Sequence, residues 1–254
     1  MIPEFLRPFA DQLEKHALPS IKITAKPLKA SASPSQASKF GGLPFLPSSQ
    51  PYPAQPDGQP LLLLTQINLS ELPANQLLPP AGLLQFYVSA HQWYDYDNEL
   101  YKVLFIEPAQ LGEVGQTDFS FLPADHTNDS PITGEHRLSF ALATEYGGLE
   151  DNRFGVDFNG LDGYEFEETL SEPEKEQFNR LISADGHKLG GYAAFTQGDP
   201  RGMQPETAND VQLLQIDVDK RIMFGDSGVA HFFIEEQALK NRKFEKAYFY
   251  WDCC

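Results

Sequence analysis

Apolar positions fall mostly in short runs, some continuous and some alternating with polar ones, and follow the helical period in only two places. "LLLLTQI" (61–67) and "GLLQFYVSA" (82–90) are short, nearly continuous apolar runs, the pattern of strands buried on both faces. "YKVLFIEP" (101–108) alternates and follows "HQWYDYDNEL" (91–100), which predicts a hairpin. Further strands are predicted at "SIKIT" (20–24), "HRLSFALATEY" (136–146), "DVQLLQIDV" (210–218), "VAHFFIEE" (229–236) and "KFEKAYFYW" (243–251). At the start, Phe5, Phe9 and Leu13 recur at i, i+4 and i+8, so a short helix begins or kinks at Pro8. The clearest helix is "SEPEKEQFNRLISADG" (171–186). Ser171 and Glu174 form a capping box, Phe178, Leu181 and Ile182 make the apolar stripe, and Gly186 suits the stop. "KASASPSQAS" (29–38) and the proline-broken "SSQPYPAQPDGQP" (48–60) read as loops. Strands outnumber helices without a βαβ alternation, so the fold class is α+β and strand-rich.

The same pattern occurs twice. "KFGGLPFL" (39–46) matches "KLGGYAAF" (188–195), and "LTQINL" (64–69) matches "LLQIDV" (213–218) at the same offset of 149 residues. Gly82 then meets Gly228 and "FYV" (86–88) meets "FFI" (232–234) at an offset of 146. The expectation is one domain over 1–254. It contains two tandem repeats, about 39–107 and 188–251, related by a pseudo-two-fold and sharing one core, with an acidic connecting region at 145–186.

Repetition selects candidate residues. Gly41–Gly42 and Gly190–Gly191 permit left-handed backbone or close approach, and a Gly-Gly pair after a lysine is not the order of a phosphate loop. Lys39 and Lys188 precede the pairs in both copies. They either converge on one cleft or satisfy local carbonyls and acids. Gln66 and Gln215 sit within apolar strands, where each amide must find backbone of its own repeat or a ligand.

Composition narrows the partners. The chain carries −17 at neutral pH, with 19 basic against 36 acidic side chains, and repels phosphate backbones and anionic lipid heads. Nucleic acid and membrane surfaces are therefore excluded as expected partners, and a basic protein partner fits. Eleven acids against two bases crowd residues 145–176, the usual mark of a solvated face. No apolar run is long enough to span a membrane, and the start lacks the apolar core of a signal peptide. Cys253 and Cys254 are the only cysteines. Being adjacent, they favour free thiols in a reducing cytoplasm.

Other motifs lead nowhere catalytic. "GDSG" (225–228) resembles a protease nucleophile loop, but Ser227 falls opposite Ala81 in the other copy. A turn with left-handed backbone at Gly228 is expected instead. "DYDNE" (95–99) lacks the glycine and distal glutamate of a calcium loop, and reads as a hairpin tip rich in Trp93, Tyr94 and Tyr96. The six histidines show no metal-ligand spacing. No catalytic residue, metal site or cofactor is expected.

Together "KFGGLPFLP", "LLLLTQINLSELP", "LPPAGLLQFYV", "KLGGYAAFTQGDPR", "LLQIDVD", "FGDSGVAHFFI" and the terminal "WDCC" resemble the YwqG-like family, from about residue 38 to the end. That resemblance implies a cytoplasmic bacterial α+β protein with two related halves and no established activity, and it suggests an immunity-like role. The first functional expectation is a non-enzymatic module that binds a protein partner through its acidic surface. The alternative is a small anionic ligand, or an unrecognised enzyme, in a cleft between the repeats. Its expected lining is Lys39, Gly41, Gly42, Gln66, Lys188, Gly190, Gly191, Arg201, Gln215 and Asp226.

Overall fold

A computed structural model describes residues 2–28, 35–203 and 205–254. The expected loop at 29–38 therefore lies outside the described residues up to Pro34. Pro8 sits inside a 3-10 turn, Glu4–Phe9, because its missing N–H and fixed ring oppose α-helical bonding there. The α-helix α1 (Ala10–His16) starts only after it. Leu6, Phe9 and Leu13 are all buried on one side, as their spacing requires.

The ten strands are β1 (Leu18–Pro27), β2 (Lys39–Phe40), β3 (Leu62–Asn68), β4 (Leu83–Val88), β5 (Tyr101–Ile106), β6 (His136–Glu145), β7 (Lys188–Gly190), β8 (Val211–Ile216), β9 (Val229–Ile234) and β10 (Tyr248–Asp252). They form one antiparallel sheet in the order β10-β9-β8-β7-β1-β6-β2-β3-β4-β5. The long β1–β6 ladder, Leu18 against Glu145 through Pro27 against His136, forms its centre. Four strands extend from each side of that ladder. In β3 and in β8 the register shifts at Leu64 and Leu213 respectively.

The sheet curls until it is nearly closed, like a barrel. Its edges meet through rings: Tyr101 lies 6.2 Å from Phe249, and Tyr96 stacks on Tyr250 at 5.6 Å. The β4–β5 hairpin tip reinforces this closure. Trp93 packs on Trp251 at 5.1 Å, Tyr96 Oη donates to the Trp251 carbonyl, and Trp251 Nε1 donates to the Tyr94 carbonyl. Inside, one apolar core draws on both halves, with Phe40, Leu64 and Phe86 against Leu189, Leu214 and Phe232. The Phe86 and Phe232 rings are 4.9 Å apart at its centre.

The helices are few. α2 (Gly163–Glu168) and α3 (Glu172–Ile182) fall within the acidic stretch, and α4 (Glu236–Lys240) follows β9 and alone among the helices adds to this core, through Ala238. Ser171 donates from its N–H and its hydroxyl to Glu174 Oε2, as the capping box predicts. α3 ends at Ile182 with Ser183 extended, before Gly186 is reached. The acidic stretch is folded rather than a bare connector: Val156, Phe158, Phe178 and Ile182 pack with Leu6, Phe9 and Leu13 in a second, smaller core. Two predicted strands run into helical turns. The "EE" end of the 229–236 run turns into α4, and Phe244–Lys246 is a 3-10 turn, leaving β10 to start at Tyr248. Among the described residues no helix is long and apolar enough to cross a membrane.

Candidate functional site

Each Gly-Gly pair adopts left-handed backbone, with φ of 63° and 73° at Gly41 and Gly42 and of 69° and 72° at Gly190 and Gly191. These values alone make glycine the natural occupant. A carboxylate adds a second reason. A Cβ on Gly42 would come within 2.6 Å of Glu135 Oε2, and one on Gly191 within 2.3 Å of Glu145 Oε2. Gly228 differs from the expectation. Its backbone is not left-handed; the neighbouring Ser227 is, at φ 56°. Gly228 is required by crowding, since a Cβ would meet the Asp252 carbonyl at 2.2 Å and the Phe224 carbonyl at 2.4 Å.

Those two carboxylates hold the paired lysines. Lys39 is buried, donates to the Leu43 carbonyl at 2.5 Å and lies 3.3 Å from Glu135. Lys188 is fully buried, donates to the Ala184 carbonyl at 2.5 Å and to Glu145 at 2.9 Å. Burial pushes the Lys188 ammonium down to about 8, against the opposing pull of Glu145, and lowers Lys39 in the same way. Burial would raise Glu145, but Lys188 and Lys22 outweigh it and hold the carboxyl below its usual range. A buried ammonium without a carboxylate would be too costly, so both lysines spend themselves locally.

The glutamines do the same with loops. Gln66 Oε1 accepts from Phe45 N at 2.8 Å, while its Nε2 donates to the Ser35 and Ala37 carbonyls. Gln215 Oε1 accepts from Ala194 N at 3.0 Å, while its Nε2 donates to the Ala184 and Gly186 carbonyls. Arg201 is buried too. It binds Asp199 through Nε and Nη2, Asp151 through Nη2 at 2.9 Å and the Asp210 carbonyl through Nη1, and it lies 4.5 Å over the Phe233 ring. Burial would raise Asp151, but Arg153 and Arg201 hold it well below the usual carboxylate range. Asp226 is exposed, far from any such network in kind: its backbone carbonyl accepts from Cys254 N.

A well-formed cavity lies elsewhere, and of the ten sequence-predicted residues only Gly190 and Gly191 line it. Its volume is about 560 Å³. The loop before β4 supplies Leu77 and Leu78, β7 supplies Leu189, β8 supplies Leu213 and α4 supplies Leu239, so the floor is apolar. Arg153, Lys240 and Arg242 are the basic residues around it, against Glu236 alone among acids. Arg153 reaches it from the acidic stretch, held by Asp151 at 2.6 Å and by the Gly191 carbonyl at 2.7 Å. Sequence reasoning missed these three cations. Arg153 had one signal, as one of only two bases in an acidic run. Lys240 and Arg242 had none, because nothing local relates them to a glycine turn some fifty residues upstream.

A second, smaller cavity of about 310 Å³ is lined by Arg201 and the rings of Tyr96, Tyr101, Tyr248 and Tyr250, where the two sheet edges meet. Among the described residues no group of three His, Cys, Asp or Glu is arranged to hold a metal ion. Both terminal cysteines are free.

Fold and site together define a class: a nearly closed, ten-stranded antiparallel sheet protein with one apolar, cation-bordered cleft between its halves. The family described as Domain of unknown function (DUF1963) matches residues 38–253, and the chain belongs to that family. No curated protein matches the chain.

Proposed function

We propose that this is a non-enzymatic binding protein that holds a small anionic ligand in the cleft between its two halves. One observation carries the reading. A cavity of about 560 Å³ brings Arg153, Lys240 and Arg242 around an apolar floor on a chain whose net charge is −17. Pockets that bind small molecules run to roughly 300–1,000 Å³, mostly apolar with a few placed polar groups. Local positive charge within a negative surround also fixes where an anion would settle. The cations of this reading are Arg153, Lys240 and Arg242 in place of Lys39 and Lys188, and the Gly190–Gly191 turn is kept. A thermal-shift screen of small anions tests it, with Gln76→Trp to fill the exposed mouth. Stabilising anions should raise the melting point of the wild type and not of Gln76→Trp. A screen without stabilising anions, or equal shifts in both proteins, would count against the cleft.

We also read the chain as a YwqG-like cytoplasmic protein built from a duplicated unit, 39–107 and 188–251, about an approximate two-fold. Three features support the duplication. Strands extend four to each side of the β1–β6 ladder, and the register shifts recur at Leu64 and Leu213. The backbone partners of Gln66 (35, 37 and 45) and of Gln215 (184, 186 and 194) differ by the same 149 residues as the glutamines themselves. Superposing the two spans in an experimental structure tests it; unrelated paths would end the idea.

A second reading keeps the acidic surface as a site for a basic, immunity-type protein partner. What favours it is that Asp162, Glu165, Glu168, Glu172 and Glu176 are exposed together along α2 and α3. A partner captured at low salt should be released at high salt; capture that ignores salt would exclude this surface.

A further inference from the structure

The cleft's polar groups are unevenly available, and that unevenness restricts what fits. The polar side chains at its floor are already spent. Gln212 Nε2 donates to the Gly190 carbonyl at 2.9 Å, and its Oε1 meets His231 Nδ1 at 3.0 Å. Asn75 Oδ1 accepts from Leu77 N and Leu78 N, and its Nδ2 donates to the Pro73 carbonyl. A ligand body resting there meets leucine and proline, with the Asn75 and Gln212 amides beside them already paired.

The border is the opposite. Arg153 uses Nε and Nη2 on Asp151 and Gly191, which leaves Nη1 without a partner among the described residues, on a side chain 16% exposed. Arg242 is exposed and makes no side-chain ion pair among the described residues, while Lys240 shares Glu236 at 2.8 Å. Arg242 also holds left-handed backbone at φ 57°, uncommon for a side chain of its size. Its N–H closes α4 by donating to the Leu239 carbonyl, so the unusual backbone is what turns the chain at the cleft's edge. Strained residues that persist beside a cavity are reasonable markers of function.

From this contrast we infer that the ligand is a free amphipathic anion: a carboxylate or phosphate monoester carried on an apolar chain or ring, its body on Leu189, Leu213 and Leu239 and its head at Arg153 and Arg242. A compact hydrated anion would leave the apolar floor wet, and a neutral hydrocarbon would leave the unpaired donors unmatched. The inference rests on the cleft being a binding site and specifies what it selects.

Isothermal titration of the full chain with octanoate, octyl phosphate, octanol and inorganic phosphate tests it. The two amphipathic anions should bind once per chain, octanol about tenfold more weakly or worse, and inorganic phosphate without saturable heat. Arg242→Gln, on an exposed side chain, should keep the wild-type circular dichroism and lose about fivefold to tenfold in octanoate affinity, with octanol unchanged. Octanol as tight as octanoate, or an Arg242→Gln variant that binds octanoate normally, overturns the inference. So does the absence of saturable heat from both amphipathic anions. In that event, a screened anion that still stabilises the wild type but not Gln76→Trp leaves the cleft itself standing.

Discussion

His231 is the clearest case of a residue whose surroundings decide its chemistry. It is fully buried between Phe195 and Phe233, its Nδ1 meets Gln212, and its Nε2 has no hydrogen-bond partner. Burial, with Arg201 and Lys188 nearby, pushes the imidazole down to about 3. Between that value and the ordinary value near 6.5, the unfolded chain binds a proton that the native ring refuses. Stability from this residue is therefore intact above pH 6.5 and falls as pH drops below it. By pH 5 the loss is about 2 kcal/mol. Urea melts at pH 7.5 and 5.0 should show that much more acid loss in the wild type than in His231→Phe. Relief of the chain's negative self-repulsion and titration of the other buried histidines act on both proteins alike. Equal acid losses would contradict the assignment. A histidine inside "VAHFFIEE" could be recognised as a strand residue from the pattern; its depressed protonation comes first from complete burial and then from Arg201 and Lys188, which only the packed fold brings about.

At the scale of elements, Gln66 and Gln215 explain why strands as short as β2 and β7 exist. Two or three residues cannot hold register by themselves, and their sequences show no alternation. Each amide ties the segment entering its short strand to the segment leaving it: Ser35 and Ala37 to Phe45, and Ala184 and Gly186 to Ala194. Truncation strands three buried or half-buried backbone groups, and each unmet group costs about 1–3 kcal/mol where water cannot replace the partner. Gln66→Ala and Gln215→Ala should each cost about 3 kcal/mol or more, with Gln66→Ala the costlier because Gln85 Nε2 also loses the Gln66 Oε1 acceptor, as read from chemical denaturation. A tolerant member of the pair would mean that the two amides do not share a role. Both glutamines stood out in the sequence because polar residues inside apolar runs need partners; which carbonyls they reach was set by loops that the pattern does not position.

Over the whole molecule, closure of the sheet depends on the aromatic tip. Trp93 and Trp251 are the chain's two tryptophans, and they touch where the β4–β5 hairpin meets β10. Intrinsic fluorescence therefore reads the closure, while far-UV circular dichroism reads the sheet. Because the main core draws on both halves, the two signals should change together in urea, in one transition. Trp93→Ala should lower stability by about 2–3 kcal/mol, since Trp93 also packs on Phe224 and donates to the Asp129 carbonyl. Tyr94→Ala should cost under about 1 kcal/mol, because Tyr94 is 55% exposed and serves Trp251 through its backbone carbonyl. Fluorescence that changes well before the dichroism would show a clasp that opens on its own.

Local pattern determined a large part of this protein. Short apolar runs placed β3 and β4, alternation placed β5, other strand-like runs placed β6, β8 and β9, the capping box placed the start of α3, and the paired glycines marked backbone that only glycine adopts readily. These features are set by neighbours within a few residues, so the sequence carries them openly. It failed where the deciding neighbour is far along the chain. Phe244–Lys246 turned helical because the chain had first to leave α4, and the acidic stretch became a small core because α1 was there to cover Phe158 and Phe178. The lysines were legible as a pair, yet Glu135 and Glu145, on and beside β6, decided where they point. The cleft was legible least of all. Its walls come from β1, residues 75–80, β7, β8 and α4, with Arg153 from between the halves, and only folding brings six such segments around one space.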